Sequence, residues 1–149
     1  MTSKSLSIDN ALHGLDEFLR DKIAPAIADP YVAPMARLSG LLLRICANSV
    51  DDATELRVDE NAAIREVLGQ AAALVSEPLA AQLQGAAASA DPGLKISVLD
   101  EENQRLRILL VTAQCELEKD TSAAAKARDR TIWRLLESIE AKRAPRERP

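Results

Sequence analysis

A chain of 149 residues with a net charge of −4 and only three aromatic side chains, Phe18, Tyr31 and Trp133, is long enough to bury a core without metal or disulfide. Its apolar content is mostly Ala, Leu, Ile and Val, which disfavours a β-sandwich or barrel built on aromatic and β-branched residues and favours helix. There is no run of about 18 apolar residues, so no membrane span is expected, and the polar stretch Met1–Ser7 lacks the apolar core of a signal peptide.

Ser7 or Asp9 is a good N-cap for a first helix, whose stripe Ile8, Leu12, Leu15, Leu19 and Ile23 steps by four and three. Pro25 lacks an N–H and crowds the carbonyl of Asp21, so it is expected to end or kink this helix. Asp29-Pro30 reads as a fresh start, with Asp as cap, and the second helix runs to about Ser49. Its apolar positions Met35, Leu38, Leu41, Leu42, Leu43, Ile45 and Cys46 fill more than one stripe, which predicts the most buried helix of the fold. Asn48–Val58 reads as a polar connection, and a third helix opens at Asp59 with Ile64, Val67, Leu68, Ala71, Leu74 and Val75. Gly69 on that helix suggests a close crossing. Ser76-Glu77-Pro78 marks a break and restart, followed by a short Ala-rich helix to about Ala88, and Ala90-Asp91-Pro92-Gly93 is a turn.

The fourth long helix, from Leu94 or Ile96 to Glu118, carries the sharpest register: Leu99, Asn103, Leu106, Leu110, Ala113 and Leu117 form an a/d seam with Asn103 at an a-type position. The last helix starts near Asp120–Ser122, places Ala127, Ile132, Leu135, Leu136 and Ile139 on its apolar face, and frays before Pro145. No strong breaker lies in Lys119–Ser122, so these two helices form either a hairpin or one continuous arm. The expected fold is all-α, an antiparallel bundle of four to five helices in a single domain over 1–142, with a basic, disordered tail at 143–149.

Reactive constellations are scarce. His13 is the one histidine, which leaves little for a nucleophilic triad or a metal site, and no cofactor or metal is expected. The five glycines are scattered, with no phosphate-binding loop. Cys46 and Cys115 sit in apolar helical patterns and read as small buried hydrophobes in a cytoplasmic protein. The segment Lys126–Pro149 holds 8 basic and 4 acidic residues, so an acidic body carries a basic end, with Trp133 between Arg130 and Arg134.

Two segments carry a resemblance: Ile23–Tyr31 leading into Leu41-Leu42-Leu43-Arg44, and Asp100–Arg107. They resemble small uncharacterised all-helical bacterial proteins associated with aminoglycoside-phosphotransferase-like and acyl-CoA dehydrogenase-like enzymes. The resemblance covers about a third of the chain. It implies an accessory role beside such an enzyme and transfers no functional residue.

Three functional expectations follow. The first is a non-enzymatic interaction protein, self-associating or docking onto a metabolic enzyme through the seam Leu99, Asn103, Leu106, Leu110, Ala113, Leu117 together with Trp133. The second is a small-molecule pocket near helix two with His13, Arg37 and Arg44 as its polar groups. The third is an anionic partner held by the basic end, nucleic acid being the least favoured. The expected partner is therefore the chain itself or another protein, with no membrane contact.

Overall fold

A computed structural model describes residues 7–50 and 52–144, and among them every regular element is helical. The described residues divide into two compact units, one up to Ala53 and one over Thr54–Ala144, where the sequence suggests one domain over 1–142. Of the expected tail at 143–149, Arg143 closes the last helix and 145–149 lie outside the described residues.

In the first unit, α1 (Ile8–Phe18) runs into a π-helical turn at Leu19–Ile23 and then a single turn, α2 (Ala24–Ala26), that contains Pro25. The wider turn precedes the proline, and the helix ends one residue after Pro25, at Ala26, with Ile27 extended, in keeping with the end or kink expected there. Asp29 caps α3 (Val32–Val50): its Oδ1 accepts from the N–H groups of Tyr31 (2.8 Å) and Val32 (3.2 Å), as its sequence context suggests. α3 folds back along α1, with Asp16, Ala24, Gly40 and Ala47 buried. Small residues set this approach. A Cβ at Gly40 would stand 2.7 Å from Asp16 Oδ1 and 3.3 Å from the Asp16 carbonyl oxygen. Gly40→Val is therefore expected to force α1 and α3 apart and to destabilise the hairpin by about 1–3 kcal/mol; faster amide exchange confined to 8–50 checks this.

α3 is not the most buried helix. Only Gly40 and Ala47 are buried, while Met35, Leu38, Leu41 and Leu42 are exposed, because α1 covers one side of α3 and its apolar residues occupy others. Cys46 and Cys115 are exposed free thiols, not buried hydrophobes.

In the second unit, α4 (Ala53–Ala71) begins six residues before the expected start at Asp59, so most of the supposed polar connection 48–58 is helical. Leu56 joins the stripe that continues through Ala63, Ile64, Val67 and Leu68, which is why the helix nucleates early. A 3₁₀ turn (Ala72–Leu74) follows, then α5 (Leu79–Ala87), α6 (Ile96–Leu117) and α7 (Ala123–Arg143). Gly69 does mark a close crossing: a Cβ there would meet the Ala87 Cβ at 3.1 Å. α6 and α7 are separate helices, because Asp120 accepts from Ser122 N (2.8 Å) and Ser122 Oγ caps α7 at Ala125 N (3.1 Å). The core joins Ile64, Leu68 and Ala71 of α4 to Leu79 and Leu83 of α5, Leu106, Leu110 and Leu117 of α6, and Ala125, Ile132 and Ile139 of α7. Ala127 is exposed; Ala125 takes the buried place expected for it.

Candidate functional site

The polar chemistry of the second unit converges on one carboxylate. Glu60 on α4 is buried and lies one turn before Ile64, on the same stripe as the core. Arg107 of α6 reaches Glu60 Oε1 through Nε (3.0 Å) and Nη2 (2.9 Å). Arg143 of α7 donates from Nε to Oε2 (3.1 Å) and from Nη2 to both oxygens (2.9 and 2.8 Å). Arg57, one turn earlier on α4, donates Nη1 to Oε2 (3.0 Å) and Nε to Asp100 (2.6 Å). Asn103 Nδ2 completes the set, donating to Glu60 Oε1 and to Asn61 Oδ1, both at 2.8 Å. Three helices thus each place a guanidinium on a single buried acid.

A second cluster adjoins the first through Asn61. Asn61 Nδ2 donates to Asp91 Oδ1 (2.9 Å) and to the Leu99 carbonyl (3.3 Å). Arg65 bridges Asp91 and Glu102, each at 2.7 Å, and Arg105 closes on Glu102 at 2.7 Å. The turn Ala90–Gly93 found in the sequence is therefore tied to α4 by Asp91.

Burial alone would raise the Glu60 carboxyl, but the hydrogen bonds from Asn103, Arg143 and Arg107 outweigh it and hold its pKa below the ordinary 4.5. Glu102 is likewise lowered, chiefly by the Arg105 hydrogen bond, which together with Arg65 outweighs the opposing effect of burial. Carboxylates with depressed folded pKa values stabilise the fold fully above the unfolded value, and that stabilisation is lost as pH falls through the folded one. The urea midpoint of the protein is accordingly expected to hold at neutral pH and to drop below the ordinary carboxylate value of 4.5, with Glu60→Gln flattening that drop.

The residues singled out by sequence are distributed differently. Leu99, Asn103, Leu106, Leu110, Ala113 and Leu117 are all buried within the second unit, so the seam has an internal packing role, and Asn103 finds its partners on α4. Trp133 is half exposed on α7. Arg37 and Arg44 are exposed on α3 and His13 is half-buried on α1; no hydrogen bond or ion pair joins the three among the described residues. The residues missed by sequence reasoning are Arg57, Glu60, Asn61, Arg65, Glu102, Arg107 and Arg143. One signal was present: Glu60 precedes Ile64 by four, and Asn103 precedes Arg107 by four, so each pair shares a helix face.

In the first unit the candidate surface is apolar. Met35 (59% exposed), Leu38 (48%) and Leu42 (55%) follow one another by three and four on α3, away from Gly40 and Ala47 by helical spacing. Ile8, Leu15 and Phe18 of α1 and Tyr31 and Val32 at the start of α3 are also exposed. α3 bears Arg37 and Arg44 and no acid, whereas α1 bears Asp9, Asp16 and Glu17 and no lysine or arginine. Neither Arg37 nor Arg44 makes an ion pair among the described residues.

No family model, curated protein or solved structure matches this chain. Among the described residues no group of three His, Cys, Asp or Glu side chains is placed to hold a metal ion. No helix of the described residues is long and apolar enough to cross a membrane.

Proposed function

We propose that the protein is a non-enzymatic helical interaction protein that self-associates through its N-terminal hairpin. The observation that carries this reading is the uncovered apolar face of α3: Met35, Leu38 and Leu42 stand exposed on a helix whose opposite side is already packed. Exposed apolar residues in single positions are ordinary, but a contiguous helical row of them marks an association surface. Charge favours a second copy as the occupant. The unpaired Arg37 and Arg44 of one α3 complement Asp9 and Glu17 on the α1 of another chain (Asp16 is buried against Gly40 and paired with Arg20), and a two-fold pairing makes that exchange twice. Two hairpins joined in this way form an intermolecular four-helix bundle, distinct from the single-chain bundle expected from the sequence, with Leu38 and Leu42 in its interior.

Light scattering on the eluting full-length chain tests this. The expected mass is twice 16.1 kDa, falling to 16.1 kDa for Leu38→Glu combined with Leu42→Glu, with helical circular dichroism retained. A wild-type chain that elutes as a monomer overturns self-association. Co-purification from the native host as a mixed complex, with no homodimer, replaces it with docking onto another protein, the accessory role implied by the resemblance.

A further inference from the structure

The Glu60 network does more than satisfy a buried acid. One bidentate arginine neutralises a carboxylate, and a second counter-charge adds little once the acid is paired. Here three guanidinium groups converge on one carboxylate, with Asp100 beside Arg57 and Glu140 beside Arg107 as further counter-charges. Each also retains a free donor nitrogen. Nη2 of Arg57 and Nη1 of Arg107 and Arg143 make no hydrogen bond among the described residues, and the three side chains are 21%, 31% and 37% exposed. The same three arginines line a groove of about 500 Å³ on the second unit.

The same groove has an apolar wall. Ile108, next to Arg107, and Val111, one turn on along α6, line it and are each 59% exposed. The groove's lining holds three arginines and one acid, Asp100; with Glu60 and the largely solvated Glu140, 3.8 Å from Arg107, three carboxylates balance them. A cationic end beside an apolar wall matches one kind of small molecule.

We propose that this groove binds an amphipathic oxyanion, a carboxylate or phosphate monoester carrying an apolar chain, with its oxygens on the free nitrogens of Arg57, Arg107 and Arg143 and its chain along Ile108 and Val111. Guanidinium forks fit either oxyanion, and both are held more strongly than a neutral group. Glu60 acts as the positioning residue. It gathers the three arginines before the ligand arrives, so little ordering remains to oppose binding.

Calorimetric titration of the full chain with octanoate, octyl phosphate, inorganic phosphate and octanol tests the proposal. One-to-one binding is expected for the better of the two amphiphilic anions, with inorganic phosphate and octanol each at least about ten-fold weaker. The tighter of octanoate and octyl phosphate identifies a free acid or a phosphate ester as the natural chemistry. Arg107→Gln and Ile108→Asp are each expected to weaken binding about ten-fold or more. Ile108 is exposed, so its substitution leaves the urea midpoint in place and separates lost binding from lost folding. No heat with either amphiphile, octanol binding as tightly as octanoate, or affinity unchanged in both variants overturns the proposal.

Discussion

Replacing Glu60 with alanine is expected to destabilise the second unit by about 3 kcal/mol, seen as a lower urea midpoint by circular dichroism. The loss comes mainly from what remains. Arg57, Arg107 and Arg143 lose their shared counter-charge, and Asn103 loses one of its two acceptors. Breaking a fully buried pair costs up to about 5 kcal/mol; the partial exposure of all three arginines places this case at the lower end. Glu60→Gln keeps an acceptor for Asn103 while removing the charge, so its loss should be smaller. If Glu60→Ala proved as stable as the wild type, the convergence on Glu60 would be an incidental surface arrangement.

A comparable loss is expected at Leu106, which is fully buried in the core cluster that also holds Ile64 of α4, Leu83 of α5 and Ile132 of α7. Leu106→Ala removes the apolar transfer energy and leaves a cavity, together about 2–5 kcal/mol. The neighbours are themselves fully buried and helical, which limits collapse into the space and favours the upper part of that range. Ile108→Ala, two residues away but exposed, should change stability by less than about 0.5 kcal/mol. Parallel urea titrations of the two variants measure the contrast. Equal midpoints would mean that α6 does not present Leu106 to the core.

The helical character, the capping residues and the α6 stripe were legible because each depends on residues a few positions apart. Asp29 and Ser122 cap through bonds to N–H groups two or three residues on, and the seam from Leu99 to Leu117 needs only the helical repeat. The Glu60 network escaped because its members are far apart in the chain, and because Asp51–Val58 looks too polar for a helix until Leu56 is counted into its stripe. Once α4 starts at Ala53, Glu60 falls on the buried side. The exposure of α3 was hidden for another reason. Its leucines state that cover is needed and say nothing of what supplies it.

The span of the Glu60 contacts has a consequence for synthesis. Glu60 and Arg143 are 83 residues apart in the chain. At ribosomal rates of about 5–20 residues per second, roughly 4 to 17 seconds separate translation of the acid from translation of its last partner. Through that interval Glu60 has Arg57 beside it and then Asn103 and Arg107, but not Arg143. The nascent second unit thus lacks its last clamp on Glu60, and the α7 share of its core, until α7 emerges, whereas the α1–α3 hairpin, closed by neighbours such as Asp16 and Gly40, is free to form early.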